Sequence, residues 1–260
     1  MPGYKDWIDA IDIKVDYFSA FMKAWIAFNA WYNYSGEVDG KNDKEKIEFI
    51  GYKTNRFKTY VESLLDIDST EGNTFRENLA SLHTALLNAA ITTQEYIGVR
   101  QAVSFGEVAV RNNNANEHLV FRNVKYECSR SHGIITTVVT TIQNGAEILR
   151  YEQKEYDLDD LKQQSAFSKL SNERQLKCIS CYEKLMPYIV SSVLASDENR
   201  KEIGAYNFIN DTRKISQAIV TILYMLRCCL AHGDISPDET SNSVYRYAYE
   251  VLAAPLKKLR

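Results

Sequence analysis

The glycine-rich loops that cradle phosphates are missing from this 260-residue chain, which has no G-x-x-x-x-G-K-[ST], no G-x-G-x-x-G and no G-x-S-x-G string. That removes most nucleotide hydrolases and dinucleotide enzymes. There is no H-E-x-x-H and no paired Cys/His set, so zinc hydrolases go too, and neither a metal nor a cofactor is expected. Cys178-Ile-Ser-Cys181 stands alone inside a helical pattern and reads as packed thiols. The cysteine count is odd, five, with Cys228 and Cys229 adjacent. No disulfide framework follows from that, and a reducing compartment is the expectation. A bulk basic charge is also lacking. The formal net charge of −3 counts against broad coating of nucleic acid but leaves room for a small local site. No run approaches the roughly 20 apolar residues of a membrane span. Lys5, Asp6, Asp9 and Asp12 are unlike a signal peptide. A cytoplasmic chain with no membrane partner is therefore expected.

With 45% hydrophobic residues and only four prolines, the chain is a folded globular one. Residues 5–34 place Trp7, Phe18, Met22, Trp25, Asn29 and Tyr32 at helical spacing. Asn29 shares a face with Phe18, Met22 and Trp25. It is either a satisfied core amide or a residue that orients a loop near the site described below. Further helices are expected over about 45–65 and 74–90, with His83 on the surface or in packing. Residues 91–112 are ambiguous. The texture then changes: 119–128, 134–142 and 146–151 are rich in β-branched and aromatic residues and are separated by turn clusters. They predict a three-stranded antiparallel meander inserted at about 118–152. Arg122, Lys125, Arg130, His132 and Arg150 make it locally basic, either as a solvated strand face or as a contact surface. Helical spacing returns at Leu158, and a long helix over 171–195 is expected to kink at Pro187. The expected fold is mainly α. Residues 1–112 and 156–260 form one helical domain, and 113–155 form the inserted meander.

The most informative stretch is Ile209–Pro237. Asp211 or Asn210 can cap a helix there, Ile215, Ile219, Ile222, Leu223, Leu226 and Leu230 form its apolar stripe, and Gly233 and Pro237 stop it. Near its end stand Arg227 and His232. A guanidinium suits phosphate oxygens, and an imidazole moves protons near neutral pH. Together, without a metal, they suit cleavage of RNA by its own 2′-hydroxyl. Five residues apart on an ideal helix they are about 140° off one another, so the pair closes best if the helix frays before His232. Arg213, Gln217, Val220, Tyr224 and Arg227 form a second stripe, either the rim of a nucleic-acid groove or an ordinary solvated or dimer-facing one.

Leu223-Tyr-Met-Leu-Arg-Cys-Cys-Leu-Ala-His-Gly-Asp-Ile-Ser-Pro237 resembles the signature helix end of the HEPN superfamily, whose motif is an Arg, four to six residues, then a His. Phe21-Met-Lys-Ala-Trp-Ile-Ala-Phe-Asn-Ala-Trp-Tyr32 and Tyr245 to Leu259 resemble the first and last helices of one branch. The resemblance implies a HEPN-like helical bundle that forms a homodimer with both Arg–His pairs facing a shared cleft. It implies a metal-independent endoribonuclease of prokaryotic defence or toxin–antitoxin type, with RNA as substrate and an antitoxin or defence protein as possible partner. Arg227 and His232 are then the catalytic pair, with Arg213, Tyr224, Asp234 and Asn29 as candidate substrate contacts. Cys228 and Asp234 depart from residues common in active members. The alternative is a non-catalytic HEPN-like module that binds a nucleotide or a protein.

Overall fold

The computed structural model describes residues 15–93, 102–112, 114–196 and 198–260. The chain divides into two compact units, residues 1–109 with 190–260, and residues 110–189.

In the first unit, α1 (Tyr17–Tyr34) is capped by Asp16, whose side chain accepts from the Phe18 and Ser19 amides. The expected start of this helix at residue 5 lies outside the described residues. Phe21, Trp25, Phe28 and Tyr32 recur at steps of three and four, and all are buried. The Phe28 ring lies 4.5 Å from Phe57, and Phe21 lies 5.3 Å from Tyr245. Each such ring contributes about 2–3 kcal/mol by leaving water.

The single helix expected over 45–65 is two, α2 (Asp43–Tyr52) and α3 (Arg56–Asp66). Asn55 divides them. Its amide donates to the Ile50 and Lys53 carbonyls while its oxygen caps Lys58. Asparagine competes with the helix ladder for local bonds in this way. α4 (Thr70–Ala89) starts at a Ser69 cap. Its His83 is buried, so the surface option is dropped and packing remains.

The chain leaves this unit and returns through two short strands, β1 (Val108–Arg111) and β6 (Tyr188–Ser191). The second unit is a sheet in the order β2 (Asn116–Phe121), β3 (Val124–Ser131), β4 (Ile134–Thr141), β5 (Glu147–Gln153), antiparallel throughout. It has four strands, not the expected three. The run 119–128 turns back on itself at Arg122 and Asn123, both left-handed with φ of 47° and 59°. Such a two-residue turn matches strand twist, but arginine is a poor signal for it. Val124, Tyr126, Cys128, Ile135, Val139 and Leu149 face α5 (Leu158–Gln163), α6 (Ser165–Ser168) and α7 (Asn172–Glu183). The inserted unit thus extends past residue 155 to 189, because those helices bury the sheet's apolar face. The helix expected through Pro187 ends at Glu183. The residue before a proline is pushed from the α region, and Tyr188-Ile-Val-Ser191 continues as strand.

Back in the first unit, β7 (Arg200–Ile203) and β8 (Tyr206–Ile209) form a hairpin that periodicity did not reveal. α8 (Thr212–His232) then crosses the unit, and α9 (Glu239–Lys257) packs on α1 and α4. Asp238 caps α9, its side chain accepting from the Ser241 amide at 2.7 Å. With 52% helix beside a four-stranded antiparallel sheet and smaller ones, the architecture combines α and β more evenly than the mainly α fold expected.

Candidate functional site

α8 begins as its sequence requires. Asp211 accepts from the Arg213 and Lys214 amides, each at 3.1 Å. Ile215, Ala218, Ile219, Ile222, Leu223, Leu226 and Cys229 are buried. By length and mean hydropathy, 1.4, this helix is apolar enough to cross a membrane, yet ten of its residues are buried within the unit. The buried Tyr245 hydroxyl donates to the Leu226 carbonyl at 2.8 Å and ties α9 to α8.

The helix does not fray before His232. It runs through that residue, and Gly233 takes φ 74° at the stop. The Asp234 amide reaches back to the Cys229 carbonyl at 2.9 Å, the Schellman closure that glycine favours. Arg227 and His232 therefore keep their helical separation of about 140°. Within one chain they do not converge.

Arg227 faces α2. Its Nη2 lies 3.6 Å from Asp43 Oδ2, with the two side chains 29% and 35% exposed. Its Nε is buried and has no hydrogen-bond partner among the described residues. Asp43 is the first residue of α2, following the Asn42 cap, where a carboxylate suits the helix N-terminus. Its Oδ1 accepts from the Tyr32 hydroxyl at 3.0 Å and from Asn29 Nδ2 at 3.5 Å. Asn29 Nδ2 also donates to the Tyr32 oxygen at 2.5 Å. Burial, followed by the Asp43 charge, pushes the Tyr32 phenol far above its usual value, so it remains a donor. Asn29 is half-buried, and its amide is bonded to Tyr32 and Asp43. Its partner is the head of α2.

His232 is exposed and lines a cavity of about 300 Å³ with Thr93, Tyr224, Met225, Cys228, Cys229 and Asp234. Tyr224, Cys228 and His232 follow at steps of four along one face, so they stack above one another. The structure thus brings together His232, Tyr224 and Asp234, and separately Arg227 with Asn29. Arg213 joins neither: it sits at the other end of α8, about 21 Å away along the axis. The stripe from Arg213 to Arg227 is no open groove rim, since Val220 is 2% exposed and Gln217 lies against Gly51 of α2.

Sequence reasoning missed Asp43 and Tyr32. Tyr32 stands three residues after Asn29 on the same face. Asp43 lay in a polar stretch that gave no sign of its partner.

The five basic residues that marked this segment in the sequence are engaged. Arg122 pairs with Glu173, Lys125 with Glu127 and Arg150 with Glu147. Arg130 donates to the Asn112, Asn114 and Leu185 carbonyls, and His132 meets the Ser131 hydroxyl. Arg130 thus clamps main chain within the unit, while the three ion-paired bases are exposed. Cys128, Cys178 and Cys181 are buried in one cluster. Burial pushes the Cys178 thiol up to about 12, and all three thiols are shielded from solvent. Among the described residues no group of His, Cys, Asp and Glu is arranged to hold a metal ion. Comparison of the chain with family models, curated proteins and solved structures finds no match.

Proposed function

We propose that this chain is a metal-independent endoribonuclease of HEPN type, acting in prokaryotic defence or a toxin–antitoxin pair, in which Arg227 and His232 do the chemistry. The observation that carries the reading is their placement. One long buried helix ends in a half-exposed guanidinium with an unsatisfied Nε and, five residues on, an exposed imidazole at a cavity. In the reaction the RNA 2′-hydroxyl gives its proton to a neutral His232 and attacks the adjacent phosphorus. Arg227 donates to the non-bridging oxygens as negative charge builds there. The P–O5′ bond breaks, the 5′-oxygen takes a proton from water, the protonated His232 returns its proton to solvent, and a 2′,3′-cyclic phosphate remains.

Because the two side chains diverge within one chain, this chemistry calls for two copies. The exposed His232 of each is then brought to the guanidinium of the other. The test is cleavage of labelled RNA in EDTA by the native protein, Arg227→Ala and His232→Ala. Loss of at least 100-fold in both variants is expected, within the range for removing an acid–base or charge-stabilising group. Equal cleavage by all three would end the idea.

One observation favours a second reading. Arg227 already has an acidic partner and stands apart from His232, as suits a non-catalytic module that holds a nucleotide or a protein. Tight RNA binding with no product selects it.

A further inference from the structure

The Arg227 guanidinium is held but not satisfied. At 3.6 Å its Nη2 is beyond hydrogen-bond length from the Asp43 carboxylate. Its Nε is buried with no partner among the described residues. Arginine offers five donors in a rigid fork, and a buried donor left unmade is costly. Asp43, by contrast, is fixed from its own side. Oδ1 is engaged by Tyr32 and Asn29, and its backbone belongs to the first turn of α2. Asn29 is held in turn: Asn33 Nδ2 donates to its main-chain and side-chain oxygens at 2.9 and 3.1 Å, and Lys46 Nζ donates to Asn33 at 2.5 Å. The arrangement is a well-bonded anion beside an incompletely bonded cation. Both side chains are about one-third exposed, so an outside anion can reach the pair.

We propose that Asp43 is the resting counter-ion of Arg227, a built-in substitute for phosphate that a phosphodiester oxygen must displace before the site is charged. This rests on the reading of Arg227 as a phosphate-binding group and adds to it a regulation of that group. The carboxylate keeps the guanidinium neutralised while no nucleic acid is present. A phosphodiester, with two non-bridging oxygens, matches the fork in a way the carboxylate at 3.6 Å does not. The energetic bias is small, because a partly exposed pair is screened by solvent. The exchange is therefore reversible.

Asp43→Asn keeps the shape and the acceptor for Tyr32 and removes the charge. The probe is an RNA tetranucleotide carrying 2′-O-methyl ribose throughout, which keeps the phosphodiesters but cannot undergo 2′-hydroxyl attack. Its dissociation constant is measured calorimetrically for the native chain, Asp43→Asn, Arg227→Ala and the double variant. Loss of a charge that competes for a partly exposed guanidinium should tighten binding about fivefold. The gain should vanish in the Arg227→Ala background, and the affinity of the native chain should fall less steeply with added salt than that of Asp43→Asn. Unchanged or weaker binding by Asp43→Asn overturns the proposal and makes the carboxylate a positioning group. A gain that persists without Arg227 overturns it as well. If Asp43→Asn melts below the assay temperature, Asp43→Ser, which keeps a polar helix start, takes its place under the same criteria. RNA cleavage is scored separately with unmodified RNA. Absence of cleavage by the native chain defeats the nuclease reading and leaves the displacement measurement to stand or fall alone.

Discussion

Replacing Tyr32 with Phe tests whether the Asn29–Tyr32–Asp43 network is a real structural unit. The ring is 1% exposed and packs edge-on against Phe28 at 5.3 Å, and Phe preserves that packing. What is lost is one hydroxyl that donates to Asp43 Oδ1 at 3.0 Å and accepts from Asn29 at 2.5 Å. A hydrogen bond to a charged group contributes about 1.5–3 kcal/mol. Asp43 is 35% exposed, so water replaces part of the lost bond and the lower end applies, about 1.5 kcal/mol. In a domain of this size each kcal/mol moves Tm by roughly 2–4 °C, so a fall of about 3–6 °C is expected.

A pH signature accompanies it. The folded phenol is raised by burial, then by Asp43, above the ordinary value of 10.0. Its contribution is complete below pH 10 and is lost as pH rises past it, because the unfolded chain ionises first. Urea denaturation should show stability falling above pH 10 in the native chain, with a shallower slope in Tyr32→Phe. A variant within about 0.5 kcal/mol of native at pH 7 and with the same alkaline slope would refute the network.

Two further measurements probe other parts of the chain. His83 is 2% exposed among Phe105, Tyr206 and Phe208, and burial lowers its pKa below 6.5. Its neutral form is favoured in the fold, so stability present above pH 6.5 should be lost on acidification by up to about 1.4 kcal/mol per pH unit. His83→Leu should flatten that limb, and parallel native and variant curves in denaturant titrations between pH 7 and 5 would contradict it. Of the five cysteines only Cys228 is not buried. An aromatic disulfide reagent should therefore label one thiol quickly in the folded protein and all five in denaturant, with peptide mass spectrometry placing the fast adduct at Cys228. Fast labelling of Cys229 would show that the turn before Gly233 opens.

The sequence alone determined α8. Its apolar stripe, the Asp211 cap and the Gly233 stop are short-range signals, and each acts within a few residues of where it is read. The same holds for the α1 aromatic face and for the turn clusters that separate 119–128, 134–142 and 146–151. It also put Arg227 and His232 at the end of one helix.

Tertiary structure decided the rest. The 119–128 run reads as one strand until a partner strand draws the chain back at Arg122-Asn123. The apolar stripe after residue 183 reads as helix until the proline and a neighbouring strand compete for the backbone. The site divides in the same way. Which way Arg227 faces depends on α2, whose first residue is 184 positions earlier in the sequence. An ion pair between such distant residues leaves no periodic trace, because spacing encodes only neighbours along one element, whereas the pairing of a guanidinium with a carboxylate is fixed by how separate elements pack.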